Sequence, residues 1–150
     1  MNIRAANEGD HAAAERLFRV QMGPSFELDP ELFRAACAGD DYLILVAETG
    51  EPGGEVTGIA VVVYSERIRL AANTRRRRFH VDQLIVLPEH RRKGIGRALL
   101  LEVARIAREQ APSYIIVNCD FTDVGARRTY ESSGFHLVRQ TGDRFEIAFP

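Results

Sequence analysis

The residues with the clearest chemical meaning stand together at Arg91-Arg92-Lys93-Gly94-Ile95-Gly96-Arg97. An apolar stretch precedes this run and an amphipathic one follows it, so it reads as the turn from a strand into a helix. The first N–H groups of a helix have no partner inside it, and the macrodipole places partial positive charge there. Two glycines remove the Cβ atoms that would keep an anion from the backbone. Four cationic side chains, Arg91, Arg92, Lys93 and Arg97, surround the turn. One dipole contact is worth only about 0.3–1 kcal/mol, so several amides and charge-assisted bonds must act together. A diphosphate engages them all.

Two other phosphate motifs fit worse. A P-loop has four residues between its glycines and then Lys-Ser/Thr, whereas one residue separates Gly94 from Gly96 and Arg97 follows. A dinucleotide fingerprint puts a third glycine where this chain has Leu99. The structural alternative is a basic, glycine-containing helix start that binds nothing.

The elements that position the turn follow from periodicity. Asn2 to Ala6 reads as a strand. Asp10 opens a helix to about Val20, and Asp29-Pro30 caps a second helix to about Ala38. Tyr42 to Glu48 and Val56 to Ser65 form a hairpin around the turn 49–54. Asn73 to Arg78 reads as a polar, basic loop, which favours an acidic ligand or is simply solvated. Phe79 to Leu87 reads as a central strand. Gly94 to Gln110 is a helix with Leu99, Leu100, Val103, Ala104, Ile106 and Ala107 on one face. Tyr114 to Cys119 reads as a strand and Val124 to Ser133 as a helix stopped by Gly134. Phe135–Val138 and Arg144–Phe149 read as a closing hairpin. The order β-α-α-β-β-β-α-β-α-β-β predicts an α/β (α+β) domain: a mixed, mostly antiparallel sheet of about seven strands with helices on both faces.

Composition bounds the function. The 150 residues suit one domain over 1–150, and a net charge of −1 gives no global attraction to nucleic acid or membrane. Lys93 is the only lysine. Two cysteines, Cys37 and Cys119, without CxxC spacing suit a reducing compartment. The four histidines show no metal-ligand pattern, so no metal is expected. Met1 to Arg19 holds no apolar h-region, and no apolar run approaches the roughly 18 residues of a membrane span. A cytoplasmic monomer or homodimer is expected.

The turn resembles the signature of the GNAT superfamily of N-acetyltransferases, Arg/Gln-x-x-Gly-x-Gly/Ala between a central strand and a helix. Arg91-Arg92-Lys93-Gly94-Ile95-Gly96 matches it in full. A second family block, Ala-x-x-x-Tyr-x-x-x-Gly-Phe, appears as Ala126 to Phe135 with Tyr130 and Gly134 in register. The resemblance covers nearly the whole chain. It implies acetyl-CoA as co-substrate, with the amides of 92 to 97 (hence Ile95 among them) on its pyrophosphate. Leu84, Ile85 and Val86 then offer backbone groups to the pantetheine arm, which enters where strand 114–119 splays from strand 79–87. One departure stands out: Asp123 replaces an asparagine that many members carry.

Acetyl transfer to an amine needs a deprotonated acceptor. A lysine-like amine is neutral about once in 2,500 molecules at pH 7, an α-amino group about once in seven, so a base matters most for alkylamines. Asp82 and His80 are the candidates, since alternation along the strand puts both on one face. The alternative is that they satisfy strand-end hydrogen bonds. The resemblance makes Tyr130 the general acid toward the leaving thiolate, although an aromatic on an amphipathic helix is ordinarily core. An oxyanion donor comes from strand backbone near Leu84 to Val86. Asn118 cannot act as a base. Cys119 reads as a small buried residue rather than a nucleophile. The expected reaction is acetyl transfer to an amine, most simply on a small molecule. Acetylation of a protein N-terminus or lysine is a variant. A CoA-binding regulatory module without turnover, or a basic-loop nucleic-acid binder, is the competing class.

Overall fold

The computed structural model describes residues 1–119, 123–138 and 148. Five strands form one sheet in the order β1-β2-β3-β4-β5: β1 (Asn2–Ala5), β2 (Tyr42–Thr49), β3 (Glu55–Arg69), β4 (Thr74–Val86) and β5 (Ser113–Val117). The first four run antiparallel to their neighbours, and β5 pairs in parallel with β4. Four α-helices accompany them: α1 (His11–Met22), α2 (Pro30–Ala38), α3 (Ile95–Glu109) and α4 (Val124–Ser132).

Helices cover both faces of the sheet. On one, Leu99, Leu100 and Val103 of α3 pack without exposure against Ala60, Val62 and Phe79. On the other, Ala14 and Leu17 of α1 and Phe33 of α2 pack on Ile44, Val46, Ile59 and Ile85. Each fully buried aliphatic side chain contributes about 1.5–3 kcal/mol. Gly58 sets how closely α3 approaches: a Cβ there would lie 2.7 Å from Cγ2 of Ile95 and 3.2 Å from Cδ1 of Leu99. The start of α3 therefore sits directly on the sheet.

The mixed fold agrees with the expected order over its first nine elements. Two details differ, and one element is not described. The sheet has five strands among the described residues rather than about seven, because Phe135–Val138 adopt no strand. The second strand of that expected hairpin, 144–149, lies outside the described residues but for Ala148. The basic stretch Arg75–Arg78 is not a loop. It is strand, paired across an extended β3–β4 hairpin as Ser65–Arg78, Glu66–Arg77, Arg67–Arg76 and Ile68–Arg75. The hairpin turns at 70–73, where Asn73 takes a left-handed φ of 51°. β5 joins the ladder at Arg77 and Arg78; before them the hairpin is two-stranded and exposed on both sides, so it carries none of the apolar alternation that marks a strand. The guanidinium groups of Arg77 and Arg76 stack on Tyr64 and Tyr114, each 4.3 Å from the ring centroid.

Asp10 does not cap α1 through its side chain. Its carboxylate accepts from the Asn7 amide at 2.9 Å and from both ends of the Arg4 guanidinium at 2.8 Å. Arg4 Nε donates to Glu48 at 2.7 Å, so one arginine joins two buried carboxylates. These bonds hold Asp10 and Glu48 below the ordinary carboxylate range, Asp10 chiefly through Arg4, Glu48 through Asn2 and then Arg4. A depressed folded value adds stability above the unfolded value, and that stability is lost as pH falls through the folded value.

Two measurements check this frame. Gly58→Val is expected to lower unfolding free energy by about 1–3 kcal/mol in urea melts, and an unchanged midpoint would refute the close approach of α3. Arg4→Gln is expected to be less stable than the parent at neutral pH. The gap should narrow as pH falls below about 4, where both carboxyls protonate; a gap independent of pH would place their stabilisation elsewhere.

Candidate active site

β4 and β5 pair only as far as Val81 and Val117, yet β4 continues to Val86. Its other edge stays in register with β3 as Ala60–Leu84, Ile59–Ile85 and Gly58–Val86. Leu84–Val86 thus keep one edge in the sheet and turn the other toward a gap. A cleft of about 940 Å³ fills that gap, at the large end of ordinary ligand sites. Its walls are β4 from Val81 to Val86, the end of β5 with Asn118 and Cys119, the start of α3, and α4.

The phosphate turn closes one end. Arg92 and Gly94 both adopt left-handed backbone, with φ of 61° and 79°. Gly94 takes this conformation freely. Arg92 does so at a cost of about 1–3 kcal/mol, the kind of strain that persists at binding sites. Intrahelical bonding begins where the Ala98 amide donates to the Gly94 carbonyl at 2.9 Å. The amides of residues 92–97 donate to no backbone carbonyl among the described residues. Six N–H groups therefore surround the turn with the positive end of α3 behind them. Arg91, Arg92, Lys93 and Arg97 are all exposed around it. Arg91 Nε donates to the Val86 carbonyl at 3.4 Å and Arg97 Nε to the Ser132 carbonyl at 3.3 Å, tying the turn to β4 and α4. At Gly96 a Cβ would rest 3.7–3.9 Å from Thr129, Leu84 and Val86, ordinary contact on the cleft floor. That explains why a signature allowing Gly or Ala fits this position.

A β-bulge lies at Asp82. Val62 pairs with Val81 but Val61 with Gln83, which leaves Asp82 as the extra residue. Strict alternation therefore fails here, and His80 and Asp82 are not two steps along one regular face. Val81 packs toward α3, and so do Leu84 and Val86 beyond the bulge, while Ile85 packs toward α1. Asp82 is exposed and lines the cleft. His80 lies outside its lining, with Nε2 3.4 Å from the Asn118 amide nitrogen.

Tyr130 enters the cleft half-buried from α4. Burial raises its phenol above the ordinary value of 10.0, with Cys119 and Asp123 adding in the same direction. The hydroxyl therefore stays protonated across the physiological range. Asp123 has a structural role: it accepts from the Ala126 amide at 2.9 Å and caps α4, the helix that carries Tyr130. Sequence reasoning passed over Val20 and Gln21 at the end of α1, and Gln83 and Thr129, all of which line the cleft. Gln83 has a buried Oε1 without a partner among the described residues. No periodicity marks such residues, because they come from three separate elements.

Glu55, Glu89 and His90 also gather near the turn. Arg16 of α1 donates to Glu55 at 2.8 Å and to Glu89 at 3.1 Å, which makes the group an ion-paired knot.

With this geometry in hand, comparison with known proteins is informative. The family model for the acetyltransferase (GNAT) family matches residues 11–135. The thialysine N-epsilon-acetyltransferase of Bos taurus is 28% identical over 94% of this chain and 92% of its own. The glucosamine 6-phosphate N-acetyltransferase 1 of Oryza sativa subsp. japonica is 33% identical over 66% of this chain and 61% of its own. An aminoglycoside 6′-N-acetyltransferase from Acinetobacter baumannii superposes with a TM-score of 0.74, at 19% identity, over 98% of this chain and 99% of its own, a likeness of fold. The chain belongs to the GNAT family of acetyltransferases, which take acetyl-CoA as acyl donor. No helix among the described residues is long and apolar enough to cross a membrane.

Removing the α4 cap tests the local account. Asp123→Ala is expected to cost about 1 kcal/mol and to raise amide exchange in residues 124–132 selectively. Uniform exchange across those amides in both proteins would show that the carboxylate is no cap.

Proposed function

We propose that this chain transfers an acetyl group from acetyl-CoA directly to an amine on a small molecule. The observation that carries the reading is the opened β4–β5 gap leading to six amides with no backbone partner among the described residues. That pair of features suits an elongated ligand ending in a diphosphate. Its diphosphate meets the amides of 92–97 together with Arg91, Arg92 and Lys93. Its pantetheine arm lies along Leu84–Val86 and bonds to backbone groups there as a further strand would.

The protein's own groups then have distinct tasks. A backbone N–H on the free edge of β4 stabilises the oxyanion that develops on the thioester carbonyl, a contribution of about 2.7–4 kcal/mol. The acceptor nitrogen forms its bond to the acyl carbon as the carbon–sulfur bond breaks. Asp82, exposed at the cleft mouth, receives the ammonium proton through water or anchors the ammonium. His80, held against Asn118, is the alternative base. Tyr130 gives its proton to the departing thiolate and recovers one through water as the acceptor nitrogen sheds its second proton to become the amide. A phenol of ordinary pKa is already uphill of such a thiol by about 2 kcal/mol, and burial of Tyr130 adds to that. The donor must therefore stand hydrogen-bonded to the sulfur. Likeness to relatives named for thialysine and glucosamine 6-phosphate supports a small amine as acceptor.

A thiol-release assay with acetyl-CoA across small amines and an amine-terminal peptide tests the reading. Turnover of at least one small amine is expected. CoA binding without turnover of any acceptor would instead identify a CoA-binding module, and turnover of the peptide alone a protein acetyltransferase. Tyr130→Phe is expected to lower kcat by about 10²–10⁴-fold with acetyl-CoA affinity little changed. Unchanged kcat at saturating substrates would remove the tyrosine from the acid role.

A further inference from the structure

The hairpin extension carries a charge arrangement that the acetyl-transfer chemistry does not use. Pairing fixes which residues share a face. Val63 stands beside His80, Ser65 beside Arg78, Arg67 beside Arg76, and Arg69 beside Thr74. Side chains two residues apart along a strand point the same way, about 7 Å from one another. Arg67, Arg69, Arg76 and Arg78 therefore project from one side of the ribbon, the side that carries His80.

Arg67 and Arg76 are direct cross-strand neighbours of like charge, an arrangement that destabilises a hairpin. The acidic residue of the hairpin, Glu66, occupies the opposite side with Arg75 and Arg77. Among the described residues, none of these four arginines pairs with a carboxylate, whereas Arg75 lies 3.8 Å from Glu66. Arg76 Cζ lies over the Tyr114 ring, 4.3 Å from its centroid, a cation–π contact that holds the guanidinium in place. Arg78 has a buried Nε without a partner among the described residues. Asp82 in the cleft wall lies four positions beyond Arg78 along β4, roughly 13 Å.

We propose that this side of the hairpin is the acceptor's anion subsite: Arg78 and Arg76 hold a carboxylate or phosphate of the acceptor while its amine is presented at Asp82. The proposal rests on the acetyl-transfer reading and names its substrate class as anionic amines. Two guanidinium forks, one held by an aromatic ring, suit bidentate recognition of a planar carboxylate or of phosphate. The neutralised charge also relieves the Arg67–Arg76 repulsion. Binding and hairpin order therefore reinforce each other.

Matched acceptor pairs test it: an amino acid against its amide, and an amino sugar phosphate against the amino sugar. These pairs also separate carboxylate from phosphate as the preferred group. For the parent protein, kcat/KM is expected to favour the anionic member of at least one pair about tenfold or more. In R76Q/R78Q that preference should collapse toward unity through KM for the acceptor, with KM for acetyl-CoA unchanged. R76K/R78K, which keeps the charge but not the forks, should recover part of it. Equal use of both members of each pair by the parent, or an undiminished preference in R76Q/R78Q, overturns the subsite. A second readout is independent of turnover. CoA-saturated protein is titrated with inorganic phosphate and with succinate while the amide resonances of β4 are followed. Saturable shifts lost in R76Q/R78Q support the subsite, and identical shifts in both proteins overturn it. Absence of CoA binding would sink the acetyl-transfer reading, and the same titrations repeated on the free protein would then decide the anion site. Tight binding of a single-stranded oligonucleotide at physiological salt, lost in R76Q/R78Q, would replace the subsite with a nucleic-acid surface.

Discussion

β4 and β5 part company after Val81 and Val117, and most of the architecture arranges itself around that separation. A strand edge that loses its partner inside a sheet leaves N–H and C=O groups without bonds, at about 1–3 kcal/mol for each that is also hidden from water. The fold tolerates this because beyond the bulge the opposite edge of β4, from Gln83 to Val86, stays paired with β3. The exposed edge is thus rigid.

The turn at 91–97 is held with comparable firmness. Gly58 lets α3 settle against β3, Ile95 and Leu99 are buried below the first turn, and Arg91 and Arg97 reach to β4 and α4. On the far side of the sheet, Arg16 links α1 to Glu55 and Glu89 beside the segment that leads into the turn. The left-handed Arg92 sits inside this frame. Six amides stay without a backbone partner on a short, strained connection whose two ends packing fixes.

Much of this was legible in the residues. The turn, its two glycines and its cations announce an anion site, since the requirement is local: a helix start, missing Cβ atoms and positive charge. Helix α3 was equally plain from its apolar spacing. The β3–β4 extension was not, because four arginines in a row carry no apolar alternation and look like a loop. The bulge at Asp82 was hidden for a different reason. A bulge is a relation between two strands, and Val61 and Val62 give no sign that they will pair with Gln83 and Val81. The role of Asp123 was half visible: its type suits a cap, but only the geometry shows that the carboxylate is already engaged with the Ala126 amide.

The bulge also has a bearing on how this enzyme can be re-engineered. It is a change of phase within one strand: toward α1 the side chains are even-numbered before it and odd-numbered after it, as His80 and Ile85 illustrate. A hairpin transplanted from a relative, or a β4 redesigned by simple two-residue periodicity, would turn one half of the strand inside out unless its junction conserved the additional residue. The strand is two half-strands spliced at a fixed point, so donor-side and acceptor-side sequences are interchangeable as modules only when the splice travels with them.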